Sequence, residues 1–381
     1  MTSANPSPAA AGSRQRPFTA LYVHVPFCRR KCGYCAFYSL PNPAAERFHR
    51  WQQRLHGEFA EFAARCAPLA SVFIGGGTPT LLPPAGLAAL LADLRNNFIL
   101  APGAEVTSEA NPETVTPEVA ETLAAGGVNR VSLGVQSFQP DLRRTLDRAG
   151  DPAAAGTAVA ALRQAGIDNL GADLIYAIPG QTPEQWRDDL HRALELGIAH
   201  LSTYALTREE GARLAPSFPP PDPDYEADLW ELAETEAARY GLQRYEVSNF
   251  ARPGHACRHN LDIWLGTAYL GCGPAACSFD GALRWSNPPD FDAWLADPVP
   301  REFDPLPPER RAAEILVFGL RTTTGWTRAG FRDRTGFDYL ELRGPLLQRF
   351  QEQGLLEGLP EAVRPTPRGL LLHDHLAIDL L

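Results

Sequence analysis

Short apolar segments alternate with longer amphipathic segments through the first half of the chain. Six segments combine apolar and β-branched residues as buried strands do, and six show the three-to-four-residue apolar spacing of helices. The predicted strands are 21–25, 71–74, 105–109, 130–135, 169–176 and 200–206, and the predicted helices are 43–67, 87–98, 116–125, 141–148, 153–165 and 183–196. Strands and helices that alternate at this spacing predict an α/β fold built from parallel βαβ units with right-handed crossovers.

The flanking segments are less regular. Residues 1–17 are rich in Ala, Ser and Pro and are predicted to be a disordered tail, so the main domain is predicted to span 18–296. Within it, the pattern predicts a further helix at 225–240 and a continuation of the sheet at 244–247. The Gly-rich residues 258–278 are predicted to form a loop.

A smaller domain is predicted at the C-terminal end. The Pro-rich residues 297–308 indicate a boundary, and residues 309–381 follow it. Helical patterns at 309–319 and 339–353 precede a predicted hairpin at 363–379. Helices followed by a hairpin predict a winged-helix-like domain.

The composition is that of an ordinary globular protein, with 44% apolar and 21% charged residues. The formal net charge of −10 disfavours nucleic acid as a partner, since nucleic-acid-binding proteins present a basic face. No apolar run has the length of a membrane span, and the tail has no signal-peptide core. Seven cysteines, three of them clustered, are typical of a reducing compartment. We expect a cytoplasmic protein, with an organelle transit peptide in the acid-free tail as the alternative.

Three clustered cysteines, Cys28, Cys32 and Cys35, follow the first predicted strand. Pro26 ends that strand because proline cannot donate to the ladder, so the cysteines are predicted to lie on a loop. Thiolates at this spacing can hold an iron–sulfur cluster. A cubane cluster has four irons, so three thiolates leave one iron open for another ligand. The alternative is a zinc site in which His24 supplies the fourth ligand.

This segment resembles the cysteine signature of radical S-adenosyl-L-methionine (SAM) proteins. The run Tyr22-x-His24-x-Pro26-Phe27-Cys28 is more closely similar to the family of oxygen-independent coproporphyrinogen III oxidases and HemW-type haem chaperones. The resemblance implies a partial (β/α)6 radical SAM barrel with a smaller, mainly helical, winged-helix-like C-terminal domain. It also implies a [4Fe–4S] cluster on the three cysteines, SAM chelated to the open iron, and an electron donor for the cluster.

Further residues match family positions around the cluster and SAM. They are Tyr22, Tyr34, Gly76, Gly77, Thr78, Glu109, Gln136, Arg148 and Asp173. The resemblance implies that the GGGTP segment contacts SAM and that Glu109 binds the ribose hydroxyls. Tyr22 and Tyr34 flank the cysteines, and the alternatives for them are stacking on the adenosyl group or a place in the core. The strand pattern agrees independently, because most of these residues lie near the C-terminal ends of predicted strands, where α/β barrels build active sites.

A second motif, His259-Asn260-Leu261-Asp262-Ile263-Trp264, resembles the HNxxYW motif of HemW-type proteins. Ile263 stands where tyrosine is usual, which removes the phenol but leaves His259 and Trp264. The resemblance implies haem binding by His259, and histidine holds the iron in many haem proteins. His255, Cys257 and His259 alternate, so in an extended segment they would share one face, and a metal site there is an alternative.

Two functions are compared. An oxidase would cleave SAM reductively, remove a hydrogen atom from each of two propionates and yield protoporphyrinogen IX with loss of carbon dioxide. That enzyme carries a fourth cysteine at the position of Phe37. We therefore favour a haem chaperone without oxidase activity, which passes haem to a haem-acceptor protein. Gln136, Arg148 and Asp173 point towards the oxidase, since they resemble its second-SAM contacts, and a radical SAM enzyme with another substrate is a third hypothesis.

Overall fold

The computed structural model describes residues 16–219 and 222–381. Its strands are β1 (Phe18–Val25), β2 (Phe27–Cys28), β3 (Leu40–Pro41), β4 (Cys66–Gly76), β5 (Leu100–Ala110), β6 (Arg130–Gln136), β7 (Asn169–Tyr176), β8 (His200–Ala205), β9 (Gln243–Arg244), β10 (Asn249–Ala251), β11 (Tyr269–Cys272), β12 (Cys277–Phe279), β13 (Arg284–Ser286), β14 (Glu302–Asp304), β15 (Trp326–Thr327), β16 (Leu356–Glu357) and β17 (Ala362–Pro365). Its helices are α1 (Ala45–Phe62), α2 (Pro84–Asn97), α3 (Pro117–Ala125), α4 (Pro140–Thr145), α5 (Ala154–Gln164), α6 (Pro183–Glu195), α7 (Pro223–Arg239), α8 (Arg258–Trp264), α9 (Phe291–Trp294), α10 (Pro308–Gly319), α11 (Arg328–Thr335), α12 (Tyr339–Glu352), α13 (Pro367–Leu371) and α14 (His373–Leu380).

The main sheet has 12 strands in the order β14-β13-β12-β11-β1-β4-β5-β6-β7-β8-β10-β9. The six predicted strands are the run from β1 through β4 to β8, and each is parallel to its neighbour. Helices α1–α6 lie in the connections between them. Since β1 and β8 do not pair with each other, the barrel is open. The predicted fold class, a partial barrel with a smaller helical module after it, is confirmed.

The prediction of a loop at 258–278 is wrong. This segment contains α8 and β11 and reaches into β12, and β11 pairs in parallel with β1 on the side away from β4. The strand is short and contains Gly271, so its sequence lacks a strand pattern. Glycine is required there, because a Cβ atom at Gly271 would lie 2.1 Å from the Cys277 carbonyl oxygen.

The predicted hairpin at 363–379 is also wrong. The antiparallel pair is β16 with β17, and the residues after β17 form α13 and α14. The apolar residues near the chain end belong to a helix, whose buried His373, Leu376 and Leu380 follow the helical spacing. The module therefore runs α10, β15, α11, α12, β16, β17, which is the helix–strand–helix–helix–strand–strand order of a winged helix.

The two largest of three apolar clusters in the described residues form most of the core. The larger one packs the connecting helices on the main sheet and includes the fully buried Trp51 and Trp186. The second holds the C-terminal module around Leu316 and Phe331 and reaches Phe279 of β12, so the module packs against the sheet. Among the described residues, no helix has the length and apolar character that a bilayer crossing requires.

The predicted tail, 1–17, lies outside the described residues except for Arg16 and Pro17. The backbone N–H of Arg16 donates to the carbonyl of Asp280 at 2.9 Å. Its guanidinium donates to the carbonyl of Asp333 at 2.8 Å. The chain just before β1 is therefore bound to both the main sheet and the C-terminal module.

Candidate functional site

The cysteine loop, residues 28–35, lies where β1 leaves the sheet and is held by backbone hydrogen bonds. The N–H groups of Gly77 and Thr78 donate to the carbonyls of Val25 and Phe27 at 2.8 and 2.7 Å. Further along, the N–H of Gly33 donates to Leu146 at 3.1 Å, and its carbonyl accepts from Leu214 at 2.8 Å. The Gly-rich segment, α4 and the chain after β8 thus fix the loop at the C-terminal edge of the parallel strands.

Each of two cysteine sulfurs has a defined neighbour. The hydroxyl of Thr78 donates to Sγ of Cys28 at 3.8 Å, and Nη1 of Arg148 donates to Sγ of Cys32 at 3.3 Å. Burial raises the pKa of the Cys28 and Cys35 thiols. Because metals bind thiolates, binding of a metal to these cysteines would release protons. The guanidinium of Arg148 favours a charged sulfur at Cys32.

The zinc alternative does not fit the geometry. Both ring nitrogens of His24 are engaged: Nδ1 lies 2.9 Å from the Tyr22 hydroxyl and Nε2 lies 2.9 Å from the Tyr38 carbonyl. In the described part of the chain, no three His, Cys, Asp or Glu side chains are arranged around a single ion. A cubane cluster instead binds each thiolate through a different iron, so the donor set of three loop cysteines fits a cluster better than one ion.

The Gly-rich segment after β4 needs its glycines. Gly76 has φ +102°, and a Cβ atom there would lie 2.5 Å from the His24 ring. A Cβ atom at Gly77 would lie 2.6 Å from the Phe27 carbonyl oxygen. The backbone therefore passes directly against β1 and the cysteine loop, and the N–H of Gly76 donates to Glu109 Oε2 at 3.0 Å.

Two partly buried carboxyl groups, Glu109 on β5 and Asp173 on β7, lie close enough to influence each other. Burial and then repulsion from Asp173 raise the pKa of Glu109 to about 7. Burial likewise raises the pKa of Asp173, which accepts from the Ser132 hydroxyl at 3.0 Å. The buried Arg130, deeper in the barrel, is the nearby cation that favours ionisation of both. Carboxyl groups held this way are poised to accept hydrogen bonds from a polar ligand.

Gln136 and Arg148 come together above β6. Gln136 ends that strand with φ +72°, a left-handed conformation unusual for a residue with a side chain. Nη2 of Arg148 donates to the carbonyl of Gly134 at 2.6 Å. Arg148, which ends the predicted helix 141–148, is therefore held between β6 and Cys32.

The two tyrosines differ in their surroundings. Tyr22 stacks on Phe73, with ring centroids 6.3 Å apart, and lies inside the barrel near Glu109. Tyr34 packs at the edge of an apolar cluster with Leu142, Leu146 and Ile175. Tyr22 thus lines the barrel interior, whereas Tyr34 secures the cysteine loop to α4 and β7.

His259 lies apart from the other predicted residues. Its side chain is buried, with 2% exposed, its Nδ1 lies 3.0 Å from the Ser71 hydroxyl, and its ring stacks on Phe73 at 5.3 Å. The backbone N–H of His259 donates to Glu105, four residues before Glu109 on β5. Four residues of extended strand separate Glu105 from Glu109 by about 13 Å along β5. His259 therefore sits near the N-terminal ends of the strands, while the cysteine loop lies at the opposite ends.

The alternative metal site at His255, Cys257 and His259 is not formed in the described part of the chain. Cys257 lies next to the Glu105 carboxylate, with Sγ to Oε1 at 3.5 Å. His255 Nδ1 lies 3.3 Å from Asn169 instead. α8 begins directly after Cys257, so the three side chains do not share the face that an extended segment would give them.

Sequence reasoning missed the polar interior of the barrel. Arg130 begins β6 with 1% exposed, next to His200 of β8, which is also buried. The signal was the alternation of polar residues along β5, where Glu105, Thr107 and Glu109 share one face. That alternation identifies the inward face of β5, from which the sequence analysis named only Glu109 as a site residue.

Comparison with known proteins agrees with this geometry. Residues 22–193 match the profile of the radical SAM superfamily, and residues 306–372 match that of the HemN C-terminal domain. The protein named heme chaperone HemW of Mycobacterium tuberculosis (strain H37Rv) is 40% identical over 389 residues, covering 98% of this chain and 97% of that protein. Heme chaperone HemW of Escherichia coli (strain K12) is 37% identical over 264 residues, covering 68% and 70%.

A solved structure shares the fold. Coproporphyrinogen III oxidase (HemN) from Escherichia coli, described as a radical SAM enzyme, matches with a TM-score of 0.83 and covers 96% of this chain and 91% of its own. At 23% identity this likeness concerns the fold. The full-length likeness in sequence is to the chaperones, and this chain belongs to the radical SAM superfamily and, within it, to the family of HemW-type haem chaperones.

Proposed function

We propose that the protein is a haem chaperone, which binds haem and a SAM-chelated [4Fe–4S] cluster and delivers haem to an acceptor protein. The observation that carries the proposal is full-length similarity to proteins named heme chaperone HemW. The cysteine loop supports it, because the position of the oxidase's fourth cysteine holds Phe37, whose side chain is 69% exposed. We also propose a cytoplasmic location.

Cys28, Cys32 and Cys35 would hold the cluster, whose open iron would bind the amino acid part of SAM when both are present. Around it the chain supplies fixed polar groups. The backbone at Gly76 and Gly77 would approach SAM closely, since these residues have no side chain to keep it away. Glu109, already in place through its hydrogen bond from Gly76, would accept the ribose hydroxyls.

The remaining residues of the proposed SAM site would line the space around the cluster and SAM. Thr78 and Arg148 direct hydrogen bonds at Cys28 and Cys32 and so stabilise charged sulfur. Gln136 ends β6, and Asp173 lies on the adjacent strand β7, where it pairs with Gly134. Tyr22 and Tyr34 would border the adenosyl group on the barrel side and on the loop side.

For haem, we propose His259 as the iron ligand through Nε2. This nitrogen makes no hydrogen bond to the described residues, whereas Nδ1 is held at Ser71. Burial, and then the charge of Arg130, lower the pKa of His259 to about 3, so the imidazole is neutral, as ligation requires. Because the side chain is buried, ligation requires α8 to move away from its hydrogen bonds with Glu105.

Replacing His259 with alanine is expected to weaken haem binding at least about tenfold, roughly 1.4 kcal/mol. Haem titration followed by absorption spectroscopy measures both the affinity and the ligand signature. Ser71→Ala is the matched control, since it removes the partner of Nδ1 and leaves Nε2 in place. If His259→Ala binds haem as tightly as the parent protein, or if both variants lose the same ligand signature, His259 is not the ligand.

The oxidase alternative has a direct test. Anoxically reconstituted protein is supplied with coproporphyrinogen III, SAM and a reductant, and products are separated by chromatography. We expect no protoporphyrinogen, together with haem transfer from the same preparation to an apo-haemoprotein acceptor. Protoporphyrinogen formation at a rate comparable with a parallel oxidase reaction would contradict the chaperone proposal.

A further inference from the structure

A cavity of about 300 Å³ lies beside the C-terminal ends of β7 and β8. It is lined by the turn after β7 (177–181), by the segment after β8 (205–208) and by residues near the start of α7. Its volume is at the lower end of the range for small-molecule sites in proteins. Of the residues that line it, none was assigned above to the cluster, to SAM or to haem.

Part of the cavity wall is apolar and firmly held. Ile178 and Leu206 line the cavity and also belong to the apolar cluster on which Tyr34 packs. Phe218 adds an aromatic surface and is 8% exposed. The hydroxyl of Tyr225, from α7, donates to the carbonyl of the turn after β7 at 2.6 Å. The wall therefore joins three separate segments of the chain into one shaped surface.

Gln181 brings an unsatisfied hydrogen-bond donor to this cavity. Its side chain is 5% exposed, and its Oε1 accepts from the Ile178 N–H at 3.3 Å, which fixes the orientation of the amide. Its Nε2 makes no hydrogen bond to the described residues. Because a buried donor without an acceptor is costly, we expect this amide to bind an acceptor that the chain does not supply.

Charged groups of both signs line the same cavity without pairing. The Nε of Arg208 donates to a backbone carbonyl at 3.2 Å, but its guanidinium forms no ion pair in the part of the chain that the structure describes. Glu226 forms none there either, and Asp222 is fixed by two backbone N–H groups of α7. Burial and then the charge of Asp222 raise the pKa of Glu226. A cation beside these two acids would relieve their repulsion.

We propose that this cavity binds a free α-amino acid with an apolar side chain. The ligand's carboxylate would accept hydrogen bonds from Gln181 and Arg208, and its ammonium group would lie beside Glu226 and Asp222. Its side chain would pack on the apolar wall. Binding is reversible, and no covalent bond forms or breaks. The inference goes beyond the proposed function and does not depend on the cluster or on haem.

The combination of groups selects this class of ligand. A ligand with only negative charge would meet two acids beside one cation. A simple amine would leave the Gln181 donor without an acceptor. The N-terminal residue of a peptide has the ammonium group but lacks the carboxylate that Arg208 would bind. A zwitterion with an apolar side chain satisfies the donor, both signs of charge and the apolar wall together.

The test is isothermal titration calorimetry of the full chain with L-leucine, L-methionine and L-phenylalanine. We expect at least one of them to bind with a dissociation constant below about 1 mM. Glu226→Gln and Arg208→Gln should each weaken that binding at least about tenfold. Glu231→Gln on α7 and Arg252→Gln are the matched controls, since both residues are exposed and the charge changes are the same. The controls should bind within about twofold of the parent protein.

Changes to the ligand test the same contacts on the unchanged protein. The amide of the amino acid that binds most tightly lacks the negative charge, and its N-acetyl form lacks the positive charge. Both should bind at least about tenfold more weakly than the free amino acid. Gln181→Glu keeps an acceptor for the Ile178 N–H and replaces the donor with an acceptor, so it should abolish binding of the carboxylate.

The outcomes separate this site from the proposed function. Titrations with and without the reconstituted cluster should agree, and a protein that takes up no cluster still tests the cavity. Absence of binding by all three amino acids at about 10 mM would overturn the proposal. So would equal affinity of the parent protein, Glu226→Gln and Arg208→Gln. Equal affinity for the amide would assign the cavity to the N-terminal residue of a peptide and would also overturn it.

Discussion

Replacing Cys32 with serine is expected to remove the cluster, with a loss of iron affinity of more than about 100-fold. Changes to residues that only support a metal ligand cost about 10- to 100-fold, and Cys32 is a proposed ligand itself. Its position makes it sensitive, because Arg148 is anchored to Gly134 and directs Nη1 at this sulfur. The measurement is iron and sulfide content per chain, with visible absorption, after anoxic reconstitution.

Cys66→Ser is the matched control. Cys66 is partly buried at the start of β4, where its Sγ donates to the Phe62 carbonyl at 3.6 Å, away from the cysteine loop. This variant should keep the full iron content and SAM affinity. A full cluster in Cys32→Ser, or zinc in the parent protein prepared without oxygen, would contradict the assignment of the loop.

Replacing Glu109 with glutamine is expected to weaken SAM binding at least about tenfold and to stabilise the SAM-free protein at pH 8. Burial and Asp173 raise the pKa of Glu109 from 4.5 to about 7. The folded protein therefore holds this proton more tightly than the unfolded chain, and the stabilising effect is complete below about pH 4.5. This stabilisation falls as the pH rises from about 4.5 to about 7. Above about pH 7 the carboxylate is ionised in both states, and the folded protein is less stable than at pH 4 by up to about 3 kcal/mol.

Glutamine keeps an oxygen that can accept from the Gly76 N–H but carries no charge. The variant should thus gain unfolding free energy over the parent at pH 8 and little at pH 4. Urea unfolding at the two pH values and SAM titration measure the two effects, with Glu118→Gln, an exposed glutamate of α3, as control. Unchanged SAM affinity in Glu109→Gln would remove this residue from the SAM site.

Much of the fold could be predicted from local sequence patterns. The strands β1 and β4–β8 were predicted because each is an apolar run between segments with helical spacing. Thr116, the first residue of the predicted helix 116–125, caps α3, because its hydroxyl accepts from the Val119 N–H at 3.2 Å. The cysteine loop was found from the spacing of its three cysteines, whereas the role of the Gly-rich segment was implied by the resemblance to radical SAM proteins.

The features that were missed depend on contacts between distant parts of the chain. β11 is a strand because β1 offers a free edge to it, and nothing within Tyr269–Cys272 alone indicates that edge. The burial of His259 is set by Ser71 and Glu105, more than 150 residues earlier. Helix α14 was predicted to be part of a hairpin because it has too few apolar residues to distinguish the helical repeat from the two-residue repeat of a strand.

The pairing of β1 with β11 has a consequence for synthesis on the ribosome. The cysteine loop emerges within the first tenth of the chain, but the strand that leads into it acquires its second neighbour only when residue 269 has been translated. Until then one side of β1 offers unpaired backbone groups to other nascent chains. If the loop holds the proposed cluster, insertion of iron and sulfur during synthesis would compete with aggregation, so maturation of the proposed site is best completed after release.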